Sequence, residues 1–120
     1  MRKFVKLDVP QVNIHPLRIT DGWSVHYNNF WEIDPKTLDS NDDCWFMFTD
    51  SLLQLHHQKS SITLDLGWNP NISHKGTYLV LVIKDSNWEN PIHEFTSNDN
   101  KEVIEYIELT LKQITSSWWK

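Results

Sequence analysis

The side chains of this sequence that could do chemistry are six histidines (His15, His26, His56, His57, His74 and His93), one cysteine (Cys44) and an acidic run containing Asp34, Asp39, Asp42 and Asp43. Histidine could bind a metal or move a proton. A helical metal site needs its ligands about one turn apart, however, and neither that spacing nor an HExxH motif occurs. His56 and His57 are adjacent in a strand-like stretch, so alternation sends them to opposite faces. A long-range pair such as His26 with His93 is the histidine constellation left open for acid–base or metal chemistry. Cys44 follows Asp42 and Asp43, whose charges favour the neutral thiol over the nucleophilic thiolate, and it reads as a small core or interface residue. No two of the glycines (Gly22, Gly67, Gly76) stand close enough to cradle a phosphate. The expectation is a protein with no catalytic residues, no metal and no cofactor.

The acidic run offers a different chemistry. Between Glu32 and Asp50 there are six acids and one base, which accounts for the entire net charge of −5, while the remaining 101 residues carry ten acids and ten bases. A neutral body with one charged face steers an oppositely charged partner better than diffuse charge does. The same window holds Trp45, Phe46, Met47 and Phe48, and aromatic side chains are enriched at binding hot spots. A charge run is often no more than a solvated loop. Here Asp39, Asp42 and Asp43 fall within five residues at the entrance to an aromatic stretch, an arrangement that can imitate nucleic-acid phosphates before a basic cleft. The partner-binding candidates are therefore Asp34, Asp39, Asp42 and Asp43 as electrostatic contacts, with Trp45 as anchor. A sequence pI near 5.6 argues against nucleic acid or anionic lipid as partner and for a basic protein. The seven tryptophans could stack on single-stranded bases, but such platforms lie in basic grooves, and the bases here are scattered. Most of these rings are expected in the core, Trp23 and Trp68 above all.

The elements that must position these residues are legible in part. At 120 residues the chain fits one domain, 1–120. Lys6, Asp8 and Pro10 interrupt any signal-peptide core after the basic start, no run is long enough to span a membrane, and a lone cysteine fits a reducing compartment, so a cytoplasmic location is expected. Trp23, Val25 and Tyr27 alternate like a half-buried strand, and Phe30 to Ile33 reads as a further element. The continuous apolar run from Cys44 to Thr49 reads as a strand covered on both faces or lying at a protein interface. Ser51–His57 and Ser61–Leu66 flank a short hairpin link, Gly67–Gly76 reads as a long turn, Thr77–Ile83 as a central strand, and Ile92–Phe95 as its neighbour. Asp99-x-x-Glu102 is a capping box that opens a helix, with Val103, Ile107, Leu111 and Ile114 on its apolar stripe, Ile104 widening it, and Thr115–Ser117 at its end. Trp118-Trp119-Lys120 is left as a tail. Strands first and a helix last predict an α+β domain: a mostly antiparallel sheet with a C-terminal amphipathic helix packed on it.

Several features together resemble bacterial immunity proteins of the contact-dependent growth inhibition or polymorphic-toxin type. They are Asp21-Gly22-Trp23-Ser24-Val25, the Asp34-Pro35 break, Asp65-Leu66-Gly67-Trp68-Asn69-Pro70, Gly76-Thr77-Tyr78 leading into an apolar strand, and Trp88-Glu89-Asn90-Pro91 with Phe95 ahead of a helix carrying Glu102 and Ile107. The resemblance implies a cytoplasmic antidote, monomeric or weakly dimeric, with no catalysis of its own. It would bind and block the C-terminal domain of a cognate toxin, commonly a nuclease and often a ribonuclease with a basic cleft. A general protein-interaction domain is the alternative, followed by a small histidine-dependent enzyme and a single-strand nucleic-acid binder.

Overall fold

The structure, a computed structural model, describes residues 12–118, Trp118 by its backbone alone. Five strands form one sheet: β1 (Trp23–Asn28), β2 (Leu53–His57), β3 (Ile62–Asn69), β4 (Thr77–Lys84) and β5 (His93–Ser97). Each pairs antiparallel with its sequence neighbours, so the spatial order β1-β2-β3-β4-β5 is a meander. One helix, α1 (Asn100–Trp118), follows and packs against β4 and β5. The α+β class expected from the sequence is the one observed.

Alternation decides which face of the sheet is buried. Leu53 and Leu55 on β2, Leu64, Leu66 and Trp68 on β3, and Tyr78 and Val80 on β4 all point to one side, where Val103, Ile107 and Leu111 of α1 complete the core. Burying each aliphatic side chain of this kind stabilises the fold by roughly 1.5–3 kcal/mol. The capping motif forms with a relay. Asp99 accepts from Lys101 N at 3.0 Å, while the Glu102 carboxylate takes the Ser97 hydroxyl, whose oxygen accepts from Asp99 N at 3.0 Å. Residues 15–21 run beside α1, where Arg18 N donates to Glu108 Oε2 and Thr20 Oγ1 donates to the Leu111 carbonyl.

Four expectations need correction. Cys44–Thr49 is no strand: Asp43–Met47 is a 3₁₀ helix. Asp42 caps it, accepting from Cys44 N at 2.8 Å, and a three-residue period then turns Trp45 and Phe48 inward while Phe46 faces out. Among the described residues, Phe30–Ile33 contributes only a bridge, Ile14 to Trp31. β4 is interior, as expected of a central strand, with β3 and β5 on its two sides, while β3 runs on to Asn69. The turn is therefore shorter than expected, since Gly67 and Trp68 stay in the ladder opposite Leu79 and Tyr78. Gly67 permits this because the Asp50 backbone crosses it so closely that a Cβ would lie 2.4 Å from the Asp50 carbonyl oxygen. Helix α1 continues through Trp118, past the expected stop at Thr115–Ser117. Trp119 and Lys120, like residues 1–11, lie outside the described residues.

Candidate functional site

The acidic window is the long connection between β1 and β2, and the local sequence makes it stiff. Asp34 opens a 3₁₀ turn, Pro35–Thr37, accepting from Lys36 N through Oδ1 at 3.0 Å, while its carbonyl accepts from Thr37 Oγ1 at 2.8 Å. Asp39 closes a turn by accepting from Asp42 N, and Asp42 caps the second 3₁₀ helix. Trp45 ties the whole to the core. Its indole N–H donates to the Asp39 carbonyl at 2.7 Å, and its ring packs against Phe48 and Trp68 with centroids 5.1 and 5.8 Å away.

Asp39, Asp42 and Asp43 all stand exposed on this connection, and Asp34 is half-buried. Trp45, read from the sequence as an anchor for a partner, is 8% exposed and belongs to the core. Phe46, 53% exposed, is the aromatic ring this helix offers to solvent. The spacing of Trp45 and Phe48, three apart behind an aspartate cap, is the signal that would have assigned those roles. Cys44 is half-buried, and burial together with Asp42 and Asp43 pushes its thiol up, which favours the neutral thiol over the thiolate.

At one end the window meets the start of α1. There His15, Pro16, Glu32, Asp34, Asn100, Lys101 and Ile104 line an open cleft of about 380 Å³. His15 and Asn100 are each only 7% exposed. The Asn100 amide N–H₂ faces Ile33 O at 3.4 Å and His15 Nε2 at 3.5 Å, which fixes the amide orientation and puts the imidazole proton on Nδ1. Burial lowers the His15 pKa, and the charges of Glu32 and Asp34 act against that shift. Lys36, two residues after Asp34, pairs with Asp99 at 3.4 Å. Sequence reasoning missed this cleft because His15 and Asn100 are 85 positions apart and no local signal joins them.

The histidines do not converge. His26 and His93 sit on β1 and β5, the opposite edges of the sheet. His26 stacks instead on His56, centroids 5.7 Å apart, and its Nδ1–H donates to Gln54 Oε1 at 2.8 Å. Gln54 Nε2 in turn donates to Asp65 Oδ2 at 2.9 Å, and Tyr27 OH reaches the same oxygen at 3.4 Å. Burial raises the Asp65 pKa, and the Gln54 and Tyr27 bonds oppose that rise. Among the described residues no three His, Cys, Asp or Glu side chains group as metal ligands, and no helix is long and apolar enough to cross a membrane. Of the tryptophans, Trp68 is fully buried, Trp23 and Trp31 are half-buried, and Trp88 is exposed.

Comparison with protein-family models, with curated proteins and with solved structures found no match. The functional reading therefore rests on this geometry.

Proposed function

We propose that the chain is an immunity protein: it binds and neutralises a cognate toxin domain, a basic nuclease and by preference a ribonuclease, by covering its active-site cleft with an acidic surface. It acts in the cytoplasm, as a monomer or weak dimer, and needs no catalysis, metal or cofactor of its own. The observation that carries this reading is the display of Asp39, Asp42 and Asp43 on a connection whose backbone is tied to the core by Trp45. Carboxylates carried on a backbone already fixed before binding lose less entropy on association than those on a free loop, which favours tight complexes. Phe46 adds an exposed apolar contact among the charges and takes the anchoring part that Trp45, being buried, leaves open.

The test is a capture experiment with the tagged protein as bait in lysate of its native source. One basic toxin fragment recovered in near-equal amount, and silenced by an equimolar addition of the protein, is the expected result. Recovery of nothing, or of housekeeping proteins that the protein does not inhibit, would contradict it and favour a general interaction domain.

A further inference from the structure

We propose that β5 is a docking edge for a second copy of this chain, the two β5 strands pairing antiparallel about a two-fold axis so that two sheets become one. This contact does not depend on the toxin reading above. The two edges of the sheet differ. β1 is interrupted by a register shift between Val25 and Tyr27, and such a bulge turns an edge away from further pairing. β5 pairs with β4 in unbroken register, from His93 opposite Val82 to Ser97 opposite Tyr78, and no described residue pairs with its outer side. It contains neither proline nor lysine, the residues that commonly block an edge, so its outward N–H and C=O groups are a template for another strand.

The helix beside this edge is covered on one flank only among the described residues. Glu108 and Thr115 bond to residues 18–21, at Arg18 N, Thr20 Oγ1 and the Asp21 carbonyl. The opposite flank adjoins β5, where Phe95 stacks on Tyr106 with centroids 4.3 Å apart. There Ile92, Tyr106, Leu109 and Ile114 line an open groove of about 210 Å³, and Ile92 and Leu109 are 47% and 55% exposed. Apart from His93, no titratable side chain with a charge at neutral pH lines this groove among the described residues. It therefore offers a basic partner no counter-charge and suits a face as neutral as itself.

The same chain supplies that face. α1 packs against β4 and β5 alike, and strands lie about 4.8 Å apart, so a two-fold axis beside β5 sets the two helices about 10 Å apart, the spacing at which helix side chains interlock. With Phe95, the middle of the strand, on the axis, Glu94 of one copy falls opposite Thr96 of the other, and no like charges oppose each other across the seam. The pairing closes at two copies because the bulged β1 edges are left outside. One five-residue strand and one groove make a small interface, which predicts a weak dimer.

The test is sedimentation equilibrium of the full chain over a concentration series. The expected mass rises with concentration from the 14.3 kDa of one chain towards twice that value. Leu109→Lys places an ammonium in the seam and should weaken the dimer at least about tenfold. Thr96→Glu sets like charges opposite each other and should weaken it about threefold to tenfold, whereas Thr96→Lys faces Glu94 of the second copy and should tighten it by a similar factor. Both positions are exposed, so thermal midpoints measured on dilute protein should stay unchanged. A mass fixed at one chain up to about 1 mM, a dimer indifferent to Leu109→Lys, or two position-96 variants that shift the equilibrium in the same direction would each overturn the proposal. A chain that stays monomeric but loses its captured toxin on Leu109→Lys would also overturn it and assign the edge to that partner. Failure to capture a toxin while the dimer persists would remove the immunity reading alone.

Discussion

The four aspartates of the window are not equivalent. Asp39 and Asp43 are exposed and their carboxylates bond to no described residue, whereas Asp42 holds Cys44 N and Asp34 holds Lys36 N. Asp39→Asn and Asp43→Asn should therefore weaken partner binding by on the order of 2–5 kcal/mol where the carboxylate is desolvated in the complex, while leaving thermal stability unchanged. Asp42→Ala should lose binding and also about 0.5–2 kcal/mol of stability, because it removes a cap. Calorimetric titration paired with thermal denaturation separates the two cases. Tyr78 makes the opposite point. Its hydroxyl is buried with no partner among the described residues, and burial, aided by the Asp34 charge, holds its pKa far above the usual tyrosine value. Tyr78→Phe removes an unsatisfied group while keeping the ring that packs on Trp68 and Phe30, so it should stabilise the protein by about 1 kcal/mol in denaturant titration.

Between elements, the decisive contact is the crossing of the 3₁₀ segment and β3. Trp68 N donates to the Thr49 carbonyl, Leu52 N to the Leu66 carbonyl, and Ile72 N to the Phe48 carbonyl, which fastens the acidic connection to the sheet at three points. Gly67 lies beneath that crossing, so Gly67→Ala should cost about 1–3 kcal/mol or more and loosen the loop together with the fold. Equilibrium unfolding together with amide exchange across residues 39–50 measures both effects. The sequence disclosed the elements whose pattern is local. The helix showed itself in Val103, Ile107 and Leu111, four residues apart and so on one helical face, and the β2–β3 hairpin in its alternation about a short polar link. The 3₁₀ helix stayed hidden because a run of five apolar residues has no period until the partner face is known, although the aspartate before it was a usable cap signal. The cleft stayed hidden for a stronger reason. It is assembled from residues 15–16, 32–34 and 100–104, and only the folded chain brings these together.

For the whole molecule, two buried histidines set the response to acid. Burial lowers the pKa of both His15 and His57 in the folded state below the ordinary 6.5. As pH falls through 6.5 the unfolded chain takes up protons before the folded one does, so stability present above that value is lost until the folded histidines also protonate. Denaturant midpoints should accordingly drop between pH 7.5 and 5.5. Asp65, whose pKa is raised, works in the opposite sense nearer pH 4. A midpoint that holds or rises between 7.5 and 5.5 would contradict the burial of these imidazoles. The larger electrostatic fact is the separation of charge, with a balanced body and a single acidic connection held rigid at one edge of the core. Its direct test is the association rate between this protein and its captured partner as salt is raised, in the native chain and in an Asp39→Asn, Asp42→Asn, Asp43→Asn variant. The native rate should fall steeply with ionic strength, and the variant should start slower and vary little, because screening acts on the charges that were removed. Identical rates and identical salt dependence in the two proteins would show that the acidic connection is not the binding surface.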